Sequence, residues 1–348
     1  MADKVALVAG ATGIIGRGLL DALEGAQGWR VRALSRSKLD GADTVQVDLG
    51  RPAAAIDALK AASDTTHLFY AAYLPQPDLA AEVAVNGPML ETLLDGLRAS
   101  GAPLQRVVLY QGAKVYGVHL GVVPAPFYED ETPRHLAPNF YYTQEDTLRR
   151  RAPQEGFDWS ILRPDVVVGD VVGNPMNIAL IIGVYAAICK ATGTPFRFPG
   201  AEAVYDGVFA QVTDSRLLGE ASLWAAEAAA ARNQAFNYVH APFRWRHVWS
   251  KLAQGLGLEL GPPMPMTLAR HMPWQSKVWA ELAQEHGLVD TPFDQLVHWP
   301  FGDFVFNTRF DMISDMTKMH RAGFCRTVDS TEAILAAIGR LKTAKVLP

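Results

Sequence analysis

The chain has 348 residues, enough for one large α/β domain with an appended lobe or for two domains. Hydrophobic residues make up 49% and charged residues 20%, which excludes a disordered chain. The formal net charge of −4 offers no basic excess for nucleic acid or an anionic membrane surface.

In chain order, short apolar strands are expected at 5–9, 31–34, 45–48, 67–71, 106–110 and 159–163. Helices are expected between them at 14–24, 51–62, 80–98 and 141–151. This alternation predicts an α/β fold: a Rossmann-type, doubly wound parallel sheet with helices on both faces. After Pro164 the chain becomes richer in Trp, Phe and Pro. Helices are expected near 177–190, 214–231, 245–254, 275–286 and 331–342, and one more sheet strand at 236–239. Residues 1–168, completed by segments near 205–242, therefore read as the nucleotide-binding domain. Residues 169–204 and 243–348 read as a smaller, mainly helical C-terminal lobe for the substrate.

The longest apolar run, 178–189, contains Gly183 and is too short to cross a bilayer, so it reads as a buried helix. Cys189 and Cys325 fit neither a metal-ligand spacing nor a disulfide framework. The chain starts Met-Ala-Asp-Lys and runs straight into the first strand, with no targeting pattern. The expectation is a cytoplasmic protein with two reduced thiols and no metal site.

The stretch VALVAGATGIIG carries glycines at every third position. Gly10 allows a tight turn out of the strand, Gly13 lets backbone approach a pyrophosphate, and Gly16 allows close helix–strand packing. Backbone N–H groups over Thr12, Gly13, Ile14 and Ile15 would then face dinucleotide phosphates at a helix start. The second strand ends in RALSRS, with no acid to accept a ribose 2′-hydroxyl. Arg36 could pair with a 2′-phosphate, and Ser35 or Ser37 could donate to it, so the pattern predicts NADPH/NADP+. Otherwise Arg36 is a solvated charge. Asp48 and Leu49 are expected beside the adenine. Ala71 and Ala72, after the fourth strand, would let the cofactor pass over the strand end. Gln111, and the backbone of Pro164, Val166 and Val167, are expected near the nicotinamide end.

The GxxGxxG spacing resembles the extended branch of the short-chain dehydrogenases/reductases. That branch usually has a serine after the fifth strand and a Tyr-x-x-x-Lys pair on the next helix. Here Gly112 stands at the serine, and Asp146 follows Tyr142 by four residues. A lysine, Lys114, lies just beyond the fifth strand instead. GAKVYG with NFYYTQED resembles the progesterone 5β-reductase/iridoid synthase family. SILRPDVVVG, MNIALIIGVYAAICKATGTPFRFPG, AFNYVHAPFRWRHVW and the final KVLP extend the resemblance over nearly the whole chain.

The resemblance implies that Lys114 and Tyr142, the second tyrosine of the pair, are catalytic. It implies NADPH-dependent reduction of a C=C bond conjugated to a carbonyl, the negative charge developing on the carbonyl oxygen. A phenol, with an ordinary pKa of about 10, is a neutral donor for that oxygen. A nearby ammonium would lower that pKa. The implied partner is a small apolar enone, with neither nucleic acid nor membrane, in a chain that could pair as a homodimer. Tyr73, Met176 and Phe301 are candidate pocket residues, with Phe304 in the aromatic segment HWPFGDFVF. His119 is a candidate second proton donor, and Asn86 reads as either a surface polar residue or a structural one. Val118-His119-Leu120-Gly121 departs from the plant members' loop, so steroid or iridoid specificity is not implied. Two other readings stand beside this one. A carbonyl reductase or sugar-nucleotide epimerase is disfavoured by the missing serine and Tyr-x-x-x-Lys. A non-catalytic NADP(H) sensor would need neither Lys114 nor Tyr142.

Overall fold

The computed structural model describes residues 4–348. Residues 1–3, which the sequence reading runs into the first strand, lie outside the described residues. Strand β1 (Lys4–Ala9) buries Val5 through Ala9 in succession, as a strand covered on both faces must. It is followed by α1 (Ile14–Glu24), β2 (Trp29–Ser35), β3 (Thr44–Gln46), α2 (Pro52–Ala58), β4 (His67–Tyr70), α3 (Leu79–Ala99) and β5 (Arg106–Tyr110). Next come α4 (Phe140–Glu155), β6 (Asp158–Arg163), β7 (Val167–Val168), α5 (Ile178–Thr192), α6 (Glu202–Gly207), β8 (Phe209–Ala210), β9 (Thr213–Asp214) and α7 (Ser215–Glu227). The chain then returns to the sheet as β10 (Gln234–Asn237).

The main sheet has seven strands in the order β10-β6-β5-β4-β1-β2-β3, and every pairing in it is parallel. The order reverses between β1 and β4, so the crevice at their C-terminal ends is where such sheets take ligands. Several strand ends shift by one or two residues from expectation, among them those of β2, β3 and β10. The third ends at Gln46 rather than 48, because Asp48 turns to accept the Gly50 N–H at 3.0 Å. The last begins two residues early, with Gln234 opposite Ser160.

The remaining chain forms β11 (Phe243–Arg244), antiparallel to β8, and α8 (Trp245–Leu256), α9 (Leu268–His271), α10 (Ser276–His286), α11 (Phe293–Leu296), α12 (Trp299–Asn307), α13 (Thr317–Arg321) and α14 (Ser330–Thr343). Helix α5 is the hub of this part and is buried almost all round. Phe196 stacks on Trp249 with centroids 4.4 Å apart, and Phe198 packs edge-on to Phe306 at 5.3 Å. The aromatic segment at 298–306 forms α12, and its Asp303 caps α9 through the N–H groups of Leu268 (2.6 Å) and Ala269 (3.0 Å). Among the described residues no helix is long and apolar enough to cross a membrane.

Helices α1 and α7 meet backbone to backbone. A Cβ at Gly18 would stand 2.1 Å from Ser215 O, and one at Gly219 would stand 2.3 Å from Gly18 O.

Candidate active site

The glycine turn lies at the sheet's reversal point. Gly10 has φ +81°, and a Cβ there would stand 2.5 Å from Ala71 O, so an L side chain is excluded by both conformation and space. The turn and Ala71 are thus neighbours across β1 and β4. A Cβ at Gly16 would stand 2.2 Å from Gly10 O, which explains the close packing of helix on turn. Gly13 begins α1 in extended conformation with no side-chain cap, leaving the first-turn N–H groups to a ligand. Thr12 is exposed, Ile15 half-buried, and Ile14 buried beneath the turn. Arg36 is exposed beyond β2 and forms no ion pair among the described residues, whereas Arg32 on the strand is held by Asp43 and Asp64. The Ser35 hydroxyl accepts the Ser37 N–H at 3.3 Å, and Gln46 donates to Arg36 O at 3.0 Å. Leu49 is buried in the sheet core, so of that pair only Asp48 is at the surface.

Beyond β5, Gly112 opens a single 3₁₀ turn, Ala113–Tyr116, that carries Lys114. The Lys114 ammonium lies 3.2 and 3.3 Å from the two carboxylate oxygens of Glu82 on α3. Glu82 is buried and also accepts the Tyr73 hydroxyl at 2.5 Å. Asn139 latches this turn to α4: it caps the helix through the Tyr141 N–H at 3.0 Å and donates to Lys114 O at 2.9 Å.

The two adjacent tyrosines point different ways, since successive residues on a helix are rotated by about 100°. The structure brings Tyr141, not Tyr142, to the serine-equivalent position: a Cβ at Gly112 would stand 3.2 Å from the Tyr141 hydroxyl. Burial pushes the Tyr141 phenol up to about 12; Glu82 and Asp165 add to the rise and the Gly112 backbone opposes it. Tyr142 instead donates its hydroxyl to Val115 O at 2.6 Å. Its ring lies 4.9 Å from the Arg134 guanidinium and packs with Val115, Tyr116, Val118 and Phe127. Tyr142, to which the family resemblance assigns the catalytic role, thus has its hydroxyl turned to the backbone of the lysine turn.

Gln111 lies between β5 and the turn that carries Lys114. Its buried side chain donates to Tyr141 O at 3.1 Å and to Glu145 at 3.3 Å, and accepts from Arg163 Nε at 2.8 Å, so both of its amide donors are engaged within the protein. Arg163 also reaches Glu129 O at 2.8 Å, the Tyr116 hydroxyl at 3.3 Å and Glu145 at 3.4 Å. This buried network holds the floor of the site beneath β5 and β6. Pro164 and Val166 follow directly, and Val167 pairs with Thr213. Val166 adopts φ 28°, a strained value for a β-branched residue, and its N–H donates to Asp165 Oδ1 at 2.9 Å. Burial raises the Asp165 carboxyl to about 6.

Tyr73 stacks on Phe140 at 5.4 Å, beside Tyr141. Phe301 packs on the lobe core and faces Phe304 at 6.5 Å. Met176 and Phe304 are exposed. His119 has both ring nitrogens enclosed without partners; burial, then the Lys114 charge, lowers its pKa. Asn86 is fully buried and clamps the Leu74 backbone through both N–H and C=O, which makes it structural. Glu82 escaped the sequence reading. Its signal was an acid four residues before Asn86, the spacing of one helical face.

A parallel sheet with an uncapped glycine turn at its reversal point, completed by a late helical lobe, defines a Rossmann-type fold. The chain belongs to the family of PRISE-like Rossmann-fold domains, whose model matches residues 42–348. It is 31% identical to an (S)-8-oxocitronellyl enol synthase of Camptotheca acuminata, over 99% of this chain and 94% of that protein. It is 30% identical to the 3-oxo-Δ(4,5)-steroid 5-beta-reductase of Arabidopsis thaliana, with the same coverage. Among solved structures, UDP-glucose 4-epimerase of Thermotoga maritima superposes with a TM-score of 0.67 at 16% identity, covering 97% of this chain and 99% of that one. RMD from Pseudomonas aeruginosa, solved with NADPH, superposes with a TM-score of 0.67 at 15% identity and 99% coverage of both chains. These structural likenesses establish the fold.

Proposed function

We propose that this protein is an NADPH-dependent reductase of C=C bonds conjugated to a carbonyl, with Tyr141 and Lys114 as its catalytic pair. The observation that carries the reading is the Tyr141 hydroxyl beside Gly112, with Lys114 fixed on the turn that follows. The names of the two plant relatives, one a steroid 5-beta-reductase, support it.

The residues present fit the cofactor. The glycine turn leaves a cradle that side chains would fill, and Arg36 with Ser35 and Ser37 is a donor set suited to a 2′-phosphate. Bound there, NADPH would supply a hydride to the substrate's β-carbon. The protein's own part is electrostatic. Tyr141 donates a hydrogen bond to the carbonyl oxygen as enolate charge builds there. A phenol near 12 keeps its proton at neutral pH, so it stabilises the oxygen without having to complete an alcohol. The α-carbon proton then comes from water. Tyr73 and Phe140 form an apolar aromatic wall beside that hydroxyl, suited to a small apolar enone. The cofactor would sit on residues 1–168 with the segments near 205–242, and the substrate between them and the lobe formed by 169–204 and 243–348.

The test follows NADPH absorbance with 2-cyclohexenone and with cyclohexanone. Consumption with the enone alone is expected. Tight NADPH binding without turnover across a panel of enones would overturn the reading. Arg36→Glu is expected to weaken NADPH binding about tenfold or more and leave NADH binding nearly unchanged, as measured by fluorescence titration. Equal loss for both cofactors would remove Arg36 from the phosphate site.

A further inference from the structure

Glu82 sits where a buried acid is costly. Its side chain is 8% exposed, against 39% for Lys114, so the carboxylate and not the ammonium bears most of the desolvation. A buried ion pair is weak evidence for stability, since an apolar pair of similar volume is often as good. Its geometry is nevertheless specified from two sides. Both oxygens face Lys114 at 3.2 and 3.3 Å, and the Tyr73 hydroxyl donates to Oε1 at 2.5 Å. Tyr73 is in turn held by stacking on Phe140, next to Tyr141. The loop after β4, helix α3 and the turn after β5 thus converge on one carboxylate.

We propose that Glu82 is a positioning residue that fixes Lys114 and cancels its charge, so that Tyr141 meets the substrate as a neutral phenol and the pocket takes uncharged carbonyl compounds in preference to anions. This deepens the enone reading and rests on Tyr141 and Lys114 forming the site. An uncompensated lysine on that turn would favour phenolate at a neighbouring phenol and would attract carboxylates as readily as carbonyls. With Glu82 ionised, the pair is net neutral, and the carboxylate adds to the rise of the phenol. The other titratable groups around Tyr141 and the pair do not supply a compensating cation. Tyr73 is a neutral donor to Glu82, Asp165 beyond β6 is an acid, and His119 after the lysine turn is held toward its neutral form.

The test is a tyrosine titration by ultraviolet difference absorbance, with Tyr141→Phe subtracted to isolate the one phenol. It reads the arrangement without requiring turnover. Glu82→Gln keeps the shape and an acceptor for Tyr73 but leaves Lys114 uncompensated. Its Tyr141 midpoint is expected to fall by about one pH unit or more. Binding of sorbate, a conjugated carboxylate, to the NADP+-loaded variant is expected to tighten about fivefold or more. Glu82→Asp should restore most of both effects. An unchanged midpoint and unchanged sorbate affinity in Glu82→Gln would overturn the proposal, whether or not enones are reduced. A lowered midpoint in a chain that reduces no enone would still support it. Should Glu82→Gln fail to fold, Lys114→Met carries the test: it leaves the Glu82 carboxylate uncompensated, so a raised Tyr141 midpoint supports the arrangement and an unchanged one overturns it.

Discussion

Tyr141→Phe is expected to lower kcat for 2-cyclohexenone by about 10²- to 10³-fold, the usual loss for one preorganised donor at a developing oxyanion. Tyr142→Phe is expected to keep kcat within about threefold and to cost about 1 kcal/mol of stability, the loss of one buried hydrogen bond. The contrast follows from direction alone. The Tyr141 hydroxyl reaches the space beside Gly112, whereas the Tyr142 hydroxyl is consumed by Val115 O at 2.6 Å. Steady-state kinetics on NADPH absorbance, with a thermal melt of each variant, decides the matter. The reverse pattern, with Tyr142→Phe inactive and Tyr141→Phe active, would return the role to Tyr142.

The second large effect concerns stability. Arg163→Met is expected to destabilise the fold by about 3 kcal/mol or more, the cost of removing one partner from a buried charged network. The Arg163 and Glu145 side chains are only 2% and 6% exposed and lie 3.4 Å apart. Arg149 remains as a partner for Glu145, but it is half exposed and cannot replace the hydrogen bonds from Arg163 to Gln111 and Glu129 O. Burial alone would raise the Glu145 carboxyl. The hydrogen bond from Arg149 and the charges of Arg163 and Arg149 outweigh it, so the folded value lies below 4.5. Glu145 therefore stabilises the fold fully above its unfolded pKa, and that stability is lost as pH falls through the depressed folded value. Removing Arg163 raises the folded value, so acid sensitivity should move toward neutrality. Urea midpoints for both proteins between about pH 4 and pH 7 measure this. Parallel midpoint curves would show that Arg163 does not hold Glu145.

Much of the sheet was legible because its signals are local. Helix α1 and strand β5 fall at 14–24 and 106–110 as read, since a glycine turn and an unbroken apolar run mark their ends. Short helices such as α9 and α13 were not read, since four or five residues are too few to show a helical period. Helix α12 was hidden by Pro300, which suits a first helical turn but reads like a loop in sequence. Within the site, Lys114 was legible because it interrupts a familiar motif. The choice between Tyr141 and Tyr142 was not, because it depends on which face of α4 meets β5. Glu82 was hidden for a related reason: an acid on an amphipathic helix reads as solvated until the turn carrying Lys114 is known to cover it.

The glycine contact between α1 and α7 has a mechanical consequence. Side chains act as compressible spacers, and at Gly18 and Gly219 the spacer is missing, so main chain meets main chain there. The two helices behave as a riveted plate rather than as neighbours on a cushion. Helix α1 carries the glycine turn at its head, and α7 is entered from β9, which is bonded to β7 just beyond Val166. The two ends of the cleft are thereby tied to one helix pair. An opening of the cleft is therefore expected to draw on the chain between β7 and β9 or on the lobe that follows β10.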